Sequence, residues 1–255
     1  MVITLLTDFG LKDPYAGIMK GVILSINPDV TIVDITHNIS PQDVRGGSFL
    51  VKETYPYFQS GTIHLAIVDP DVGSVRRPIL LCKDKHFFIG PDNGIFSHII
   101  KGYTEIYEIT NKDFMLNSIS STFHGRDIFA PAAAHLALGV PPSTFGPGVS
   151  DPVFLTDILP DIVNGVLTGE IVRFDTFGNA ATNIDREAFN DFVNMRPFRT
   201  SIGKITFSSL NQTYCEKNFT CLINSSGYVE FGFYRGNFER KTGVKKKDIV
   251  TIELL

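Results

Sequence analysis

The sequence predicts an α/β protein in which a three-layer α/β/α domain with a mostly parallel sheet precedes a smaller β-barrel-like domain. Two observations predict this architecture. In the first half of the 255-residue chain, strand-like and helix-like segments alternate, which is the order of βαβ units. After about residue 140 prolines become frequent, and the apolar runs that follow are short and separated by turn residues, as in a small barrel or sandwich.

The elements of the first half follow from apolar periodicity and helix-start signals. A buried strand is expected over residues 2–9. Asp13 followed by Pro14 is a good helix start, with Asp as N-cap and Pro at the first helical position, and this helix is expected to end near Asn27. The elements expected next are a strand at 31–36, a helix from 40 toward 57, strands at 62–68, 78–82 and 86–89, a short helix at 93–100, a strand at 105–109 and a helix at 127–138.

The second half begins with a linker and continues with strands. Five prolines lie between residues 139 and 160, where little periodicity is present. Strands are expected at 165–174, 198–207, 220–224, 228–233 and 248–255, with one helix at 185–192. The predicted domains are therefore residues 1–150, with a linker to about 164, and residues 165–255.

Composition excludes several classes of partner. The 43% apolar content supports a large core, and 20% charged residues argue against disorder. A formal net charge of −4 gives no reason to expect nucleic acid. No segment reaches the length of a membrane span, and the first residues lack the basic start and apolar length of a signal peptide. Three cysteines without metal-ligand spacing fit a reducing compartment, so a cytoplasmic protein is expected.

Polar side chains follow the ends of three predicted strands. Asp8, His37 and Asp69 occupy these positions, and in open α/β sheets ligands bind beyond the carboxyl ends of the strands. A binding rim is therefore expected there. Asp8 suits a ribose diol and equally suits a turn cap, whereas His37 is interpreted as a structural histidine.

Asp69, Arg76 and His124 form the candidate catalytic group. Asp69 and Arg76 flank a turn that contains Pro70 and Gly73, and there the guanidinium would keep the carboxylate ionised. His124 precedes a helix start, where exposed N–H groups favour an anion or a developing hydroxide. Together the three side chains could hold and polarise one water molecule.

Weaker signals occur elsewhere. Phe177 with Asn179 is a plausible purine reader, in which the ring stacks and the amide pairs with the base edge. The Pro-Asp-Asn-Gly string at residues 91–94 is interpreted as a turn in which Asp92 or Asn93 caps a helix. The common phosphate-loop, dinucleotide, zinc-protease and serine-hydrolase motifs are absent from the sequence.

Motifs spread in order over almost the whole chain resemble one family. They lie at residues 7–10, 15–17, 20–21, 61–76, 91–94, 122–131, 177–184, 224–227 and 236–237. In this combination the chain resembles the S-adenosyl-L-methionine (SAM) hydroxide adenosyltransferases, which are hydrolases related to fluorinase and chlorinase. The resemblance implies that water attacks C5′ of SAM and that adenosine and methionine are formed. SAM is then the substrate, and neither a cofactor nor a metal is expected.

The resemblance also implies roles for individual residues. Asp69, Arg76 and His124 would hold the attacking water. Fluorinase-like members have Tyr in place of this Asp and Ser in place of this His, so a chain that keeps both favours water over halide. The expected substrate contacts are Asp8 at the ribose hydroxyls, Asp175 and Ser225 at the methionine amino and carboxylate groups, and Phe177, Asn179 and Asn237 at the adenine pocket.

The family is trimeric, with SAM between the N-terminal domain of one subunit and the C-terminal domain of the next, so a homotrimer with interface sites is expected. Two positions depart from the family pattern. Asp71 adds a carboxylate near the catalytic loop, and Phe238 follows Gly236-Asn237 where small residues are usual.

Three alternatives stay open. A metal-dependent phosphohydrolase would use Asp8, Asp69, Asp92 and His124, although these residues lack ligand spacing. A non-catalytic adenosine- or SAM-binding protein would use Asp69 and Arg76 only to pin a loop. A SAM-dependent halogenase would replace water by halide.

Overall fold

A six-stranded mixed sheet forms the centre of the first of two compact units, Met1–Leu155. The computed structural model describes residues 1–100, 102 and 104–255. The strands are β1 (Val2–Thr7), β2 (Thr31–Thr36), β3 (Ile63–Ile67), β4 (Pro78–Lys83), β5 (His86–Pro91) and β6 (Glu105–Glu108). Their order is β2-β1-β3-β5-β4-β6. Strands β1, β2, β3 and β5 are parallel, and β4 pairs antiparallel with β5 and β6.

Helices cover both faces of this sheet. They are α1 (Tyr15–Ile26), α2 (Val44–Thr54) and α3 (Ala130–Ala137). Because side chains alternate along a strand, β3 contributes to two cores. Leu65 belongs to the apolar cluster that includes Met19 of α1 and much of α3, whereas Ala66 belongs to the cluster that includes Val51 of α2. The predicted three-layer arrangement is confirmed.

Two helix starts and one helix were predicted incorrectly. Pro14, not Asp13, is the N-cap of α1, and its apolar ring cannot accept a hydrogen bond from the free N–H groups of the first turn. Helix α2 begins at residue 44 rather than 40 because Asp43 caps it by accepting the N–H of Gly46. Residues 93–100 form successive turns instead of a helix. Gly94 there has φ +93°, which interrupts helical geometry at the start of the segment.

The predicted helix at 127–138 consists of two parts. A π-helix, Gly125–Phe129, directly follows His124 and continues into α3. Pro131, near the start of α3, has no N–H to donate to the preceding turn, and the carbonyl of Asp127 accepts the N–H of Leu116 instead. Such wide turns are frequent at functional sites.

The second unit, Thr156–Leu255, contains an antiparallel, barrel-like sheet of eight strands, which confirms the expected β-rich half of the fold. Its elements are β7 (Asp161–Val163), β8 (Val166–Phe174), β9 (Ala180–Asp185), α4 (Arg186–Val193), β10 (Phe198–Ile202), β11 (Ile205–Phe207), β12 (Phe219–Ile223), β13 (Tyr228–Phe233), α5 (Phe238–Thr242) and β14 (Ile249–Leu254). The order is β11-β10-β14-β8-β9-β13-β12, with β7 beside β8. Strands β7 and β9 and helix α5 were not predicted, and the strand expected at 198–207 is a hairpin.

Within residues 1–100, 102 and 104–255, no helix has both the length and the apolar character needed to cross a membrane. All three cysteines are free. Cys82 is half-buried, Cys215 is exposed and Cys221 is buried.

Candidate active site

The carboxyl edge of the parallel strands gathers the polar residues that the sequence placed at strand ends. Asp8, His37 and Asp69 follow β1, β2 and β3 by one or two residues. These strands are neighbours in the sheet and run in the same direction, so the three segments emerge at one edge. This is the position where open α/β sheets bind ligands.

The first two of these residues hold loops at this edge. His37 is buried, and its Nδ1 lies 2.8 Å from Thr7 Oγ1 while Nε2 lies 3.1 Å from Asp34 Oδ1. Because Nδ1 is hydrogen-bonded and Nε2 lies within ion-pair distance of a carboxylate, the ring has a structural role. Asp8 is half-buried, and its Oδ2 accepts the N–H of Gln42 at 2.9 Å. Asp8 thus fixes the loop after β2, and its carboxylate has lone pairs beyond this one bond.

Arg76 joins the other two members of the candidate catalytic group. Its Nε donates to Asp69 Oδ1 at 2.9 Å, its Nη2 donates to Asp69 Oδ2, and Nη2 also lies 2.8 Å from His124 Nδ1. The Arg76 and Asp69 side chains are only 6% and 5% exposed. The Phe129 ring lies under the guanidinium at 5.3 Å. The structure therefore brings together the three residues predicted to be catalytic.

The hydrogen-bond pattern determines which atoms remain available. A guanidinium has donors only, so His124 Nδ1 must accept from Arg76, and the proton of the neutral ring is then on Nε2. Arg76 Nη1 is buried and has no hydrogen-bond partner among the residues that the structure describes. The group therefore keeps the two N–H donors of Nη1 free, and a bidentate Asp69–Arg76 pair holds the guanidinium in place.

The surroundings favour the neutral form of His124. Burial lowers the pKa of His124 below its ordinary value of 6.5, and the positive charge of Arg76 lowers it further, while Asp69 and Asp127 act in the opposite direction. The ring is therefore neutral at pH 7, as the bond from Arg76 requires.

The segment that carries His124 is held by a buried carboxylate. Asp127 is fully buried, and it accepts from Arg126 Nε at 2.6 Å and from the N–H of Ser120 at 2.8 Å. Burial alone would raise the pKa of Asp127, but the hydrogen bonds from Arg126 and Ser120 outweigh it and lower the pKa. The Asp127 carbonyl also accepts the N–H of Leu116 at 2.9 Å. These bonds fix both sides of the loop that leads to His124.

An aromatic pocket lies beside this loop. Phe9, Tyr15 and Phe123 contact one another edge to face, with ring centroids 5.2–5.9 Å apart. With Arg126 and other residues of the 120–126 segment they line a cavity of about 470 Å³. Apolar walls with a few polar groups are typical of small-molecule sites. Tyr15 and Phe123 belong to motifs singled out in the sequence, but neither had been assigned a role.

A second pocket belongs to the C-terminal unit. It has a volume of about 430 Å³ and is lined by Phe177, Asn179, Tyr214, Phe233, Tyr234, Arg235 and Gly236. Phe177 is 74% exposed, so its ring is free to stack on a ligand. Asn179 donates from Nδ2 to Asp175 Oδ2 at 2.9 Å, and its N–H bonds Asp175 Oδ1 at 2.8 Å. Asp175, Phe177 and Asn179 therefore lie together on one tight loop.

Ser225 and Asn237 do not line this pocket. Ser225 is exposed on a turn that Asn224 fixes, because Asn224 Oδ1 accepts the N–H of Ser226 and that of Tyr228, both at 3.0 Å. Asn237 caps α5, because its Oδ1 accepts the N–H of Arg240 at 2.7 Å. Asn237 nevertheless lies against Gly178, which follows the pocket residue Phe177.

Tyr214 and Glu230 were missed by sequence reasoning. Glu230 is 4% exposed, and its two carboxylate oxygens accept from the Tyr214 hydroxyl and from Asn224 Nδ2. Burial raises the pKa of Tyr214, and the neighbouring Glu230 raises it further, so the hydroxyl keeps its proton. The one available signal was a lone Glu inside the apolar strand β13.

Two carboxylates of the phosphohydrolase alternative are bound by arginine side chains. Asp92 binds Arg77 through Nε at 2.9 Å, and both oxygens of Asp69 bind Arg76. In the part of the chain that the structure describes, no group of three or more His, Cys, Asp or Glu side chains is arranged to hold a metal ion.

Comparisons with known proteins identify the family of this chain. Residues 3–146 match the family model of the SAM hydroxide adenosyltransferase N-terminal domain, and residues 169–251 match that of the C-terminal domain. A protein of Thermus thermophilus named (R)-S-adenosyl-L-methionine hydrolase is 34% identical over 94% of this chain and 95% of its own. One of the same name from Methanocaldococcus jannaschii is 32% identical over 98% of this chain and 95% of its own.

More distant and structural relatives were also found. A fluorinase of an Actinoplanes species is 30% identical over 72% of each chain. The crystal structure of an uncharacterized conserved protein from Thermotoga maritima has a TM-score of 0.90 and 33% identity, and it covers 99% of this chain and 100% of that one.

Proposed function

Because the chain belongs to the SAM hydroxide adenosyltransferase family, we propose that it hydrolyses S-adenosyl-L-methionine to adenosine and L-methionine. The relatives named as hydrolases of the (R) form of SAM match over nearly their whole length and support this reaction. Within the chain itself, the proposal depends on one observation: Arg76 is hydrogen-bonded to both Asp69 and His124 in a buried cluster.

The reaction requires little from the protein beyond a positioned nucleophile. A bond forms between a water oxygen and C5′ of SAM, and the bond between C5′ and the sulfonium sulfur breaks. The bonding electrons stay on sulfur, so methionine leaves as a neutral thioether and needs no general acid. The water loses one proton. Asp69 accepts it, because each carboxylate oxygen keeps a lone pair beyond its bond to Arg76, and the proton then passes to solvent.

The charge pattern favours a developing hydroxide. The Arg76 guanidinium supplies positive charge and has both N–H groups of its Nη1 free, while His124 is neutral with its proton on Nε2. A cation and an N–H donor aimed at one oxygen stabilise the charge that water develops as it attacks. Holding that oxygen in line with C5′ contributes roughly 7–11 kcal/mol through orientation alone.

The substrate contacts divide between the two units. Asp8 holds the ribose hydroxyls through the lone pairs left by its bond to the loop after β2. The exposed Phe177 ring stacks on adenine, and the carbonyl oxygen of Asn179 accepts from the adenine amino group. Asp175 attracts the methionine ammonium, and Ser225 donates to the methionine carboxylate. Asn237 supports the loop of residues 175–179, because its side chain lies against Gly178.

We also propose a homotrimer in which unit 1 of one subunit and unit 2 of the next complete each site, as the resemblance to the family implies. Two exposed apolar side chains support an assembly. Val75, in the loop that joins Asp69 and Arg76, is fully exposed, and so is most of Phe177. A cytoplasmic location is proposed from the three free cysteines and is tested by cell fractionation.

The decisive experiment is turnover in isotopically labelled water. We expect the purified protein to convert the (R) epimer of SAM to adenosine and methionine, and in H₂¹⁸O the adenosine gains one ¹⁸O at its 5′ oxygen in mass spectrometry. A 5′-halogenated nucleoside on addition of chloride or fluoride would identify a halogenase instead. Calorimetric binding of SAM without any adenosine would identify a binding protein.

A further inference from the structure

The loop that carries Asp69 and Arg76 is held at both flanks by two consecutive residues. We propose that Asp92 and Asn93, at the end of β5, are positioning residues that fix where this loop presents Asp69 and Arg76 to His124. The proposal rests on the proposed function for the catalytic roles of those three side chains. The sequence had suggested only a helix cap at residues 92–93, and no helix follows them.

Asn93 holds the flank that precedes Asp69. Its Nδ2 donates to the carbonyl of Val68 at 2.8 Å, and its Oδ1 accepts the N–H of Ile95 at 3.2 Å. Val68 is fully buried and lies past the last residue of β3, where the pairing of β3 with β5 has already stopped. A buried carbonyl needs a partner, and here the Asn93 side chain supplies it. The backbone direction into Asp69 is thereby fixed.

Asp92 holds the flank that follows Arg76. Its backbone N–H donates to the carbonyl of Arg77 at 2.9 Å, and its Oδ2 accepts from Arg77 Nε at 2.9 Å and Nη2 at 2.6 Å. The other oxygen accepts the N–H of Val153 at 2.8 Å. Asp92 is only 4% exposed, so these are buried charge-assisted bonds. Asp92 therefore holds the Arg77 side chain, and the adjacent Arg76 side chain binds Asp69 and His124.

Both anchors are needed because the Asp69–Arg76 pair alone does not determine the site. That pair closes the loop on itself and would persist if the loop shifted as a whole. His124 lies on another segment, which Asp127 holds separately. The distance from Arg76 to His124 therefore depends on where the Asp92–Asn93 pair anchors the loop. Loss of an anchor should displace the nucleophile and leave the binding of SAM largely unchanged.

Asn111 provides a matched control for Asn93. Its Oδ1 also accepts an N–H two residues ahead, at 3.0 Å, and its Nδ2 also donates to a distant carbonyl, that of Thr144, at 3.1 Å. In Asn93→Ala we expect kcat to fall roughly tenfold to hundredfold with KM for SAM within about twofold, because small misplacements cost this much in rate. Asn111→Ala, compared at equal folded fraction, should keep the kcat of the unchanged protein.

Two further variants separate positioning from folding. Asn93→Asp keeps the shape and the acceptor for Ile95 but loses the donor to Val68, so it should lose kcat as Asn93→Ala does, even if the alanine variant folds poorly. Asp92→Asn removes the buried charge on Arg77, whereas Asp151→Asn removes the exposed one, since Asp151 Oδ1 accepts from Arg77 Nη1 at 2.7 Å. Only Asp92→Asn should lower kcat.

A readout that needs no turnover distinguishes this proposal from the proposed function. Arg76 lowers the pKa of His124 more than Asp69 raises it, and Asp127 stays with the His124 segment, so moving away the loop that carries both Arg76 and Asp69 should shift the His124 titration toward higher pH in NMR of labelled histidine. A higher titration point in Asn93→Ala, which loses the same donor without adding a charge, supports positioning even if the protein fails to hydrolyse SAM, provided that Asn111→Ala is unchanged. If the unchanged protein hydrolyses SAM, and Asn93→Ala keeps both its kcat and its His124 titration, the positioning role is overturned.

Discussion

Arg76 Nη2 lies 2.8 Å from Nδ1 of His124, and the two side chains share one hydrogen bond whose direction is fixed. Arginine cannot accept, so His124 must present a bare Nδ1. Protonation of that atom would place two N–H groups face to face and add a second positive charge beside the guanidinium. The arrangement therefore exists only while His124 is neutral.

The first prediction is that activity persists to a pH below the ordinary pKa of histidine. Because burial and Arg76 lower the pKa of His124 below 6.5, the neutral ring persists as the pH falls through the ordinary range of histidine. The acid limb of kcat/KM against pH should therefore have its midpoint below 6.5, and activity should be lost only as the pH falls through the lowered pKa. A midpoint at or above 6.5 would mean that another group controls the limb. NMR titration of His124, assigned with His124→Gln, provides the independent check.

Asp69→Asn should abolish turnover and spare the binding of SAM. The amide cannot accept the proton of the attacking water, and its NH₂ group meets the donors of Arg76. We expect kcat to fall by about 10²–10⁴-fold, the range of a lost general base. Calorimetry should give a Kd for SAM within about threefold of the unchanged protein, since the role proposed for Asp69 is to contact the water and not the nucleoside.

The control is the neighbouring carboxylate that departs from the family pattern. Asp71 is exposed in the same loop, so Asp71→Asn removes a like charge at almost the same place. It should leave kcat nearly unchanged. If both variants lose activity equally, the total negative charge of the loop determines the rate, and the position of the Asp69 carboxylate does not.

Gly73→Ala should damage the site by separating its two loops. Gly73 has φ +81°, and a methyl group there would overlap the carbonyl oxygen of Ser121, three residues before His124. The loop that carries Asp69 and Arg76 would have to move away from His124, so kcat should fall at least about tenfold. The positive φ itself should cost about 1–2 kcal/mol of stability.

Gly139→Ala separates these two effects. Gly139 has φ +92° and open space where a Cβ would lie, so this variant has the strain without the overlap. It should lose a similar free energy of unfolding in urea and keep its kcat. Equal losses of kcat in both variants would show that general destabilisation, and not loop separation, lowers the rate.

Much of the fold could be predicted because buried strands and amphipathic helices have distinct periods. Where local signals conflicted with tertiary contacts, the prediction was wrong. Phe96 and Ile99 have helical spacing, yet the segment forms turns because Gly94 takes a left-handed conformation and packs against Leu155. Strand β9 has no apolar alternation, since Thr182 is buried and satisfied by a bond to the carbonyl of Val229.

The candidate site shows the same division. Asp69 and Arg76 are close in sequence around a turn, so their pairing could be predicted from spacing. The contact of Arg76 with His124 joins residues 48 positions apart; their chemistry placed them in one candidate group, but no sequence spacing could give the contact itself. Glu230 and Tyr214 meet through a loop of irregular structure, for which periodicity carries no information.

Tyr214→Phe should destabilise the C-terminal unit and weaken its pocket. The substitution removes one of the two hydrogen bonds to the buried Glu230 carboxylate and leaves that oxygen unsatisfied. Such a loss costs about 1–3 kcal/mol, which chemical denaturation measures. KM for SAM should rise, because Tyr214 lines the pocket that also contains Phe177.

Tyr234→Phe is the matched change in the same pocket. Tyr234 is 36% exposed, and no hydrogen bond of its hydroxyl to Glu230 occurs among the described residues. Its stability should change by less than about 0.5 kcal/mol, as for ordinary surface substitutions. Equal destabilisation of both variants would show that the Tyr214 hydroxyl has no special role.

The proposed sharing of each site between two subunits predicts that two defective subunits restore each other. Asp69→Asn disables unit 1, and a Phe177→Ala, Asn179→Ala double variant disables unit 2. The two chains are co-expressed with different tags and purified through both. In a mixed trimeric ring, one site combines the intact unit 1 of one chain with the intact unit 2 of its neighbour, so roughly a third of the activity of the unchanged trimer should return. Two differently tagged Asp69→Asn chains, co-purified in the same way, should stay inactive. If each site lies within one chain, no mixed trimer contains an intact site, and activity in the mixture would be no higher than in either variant alone.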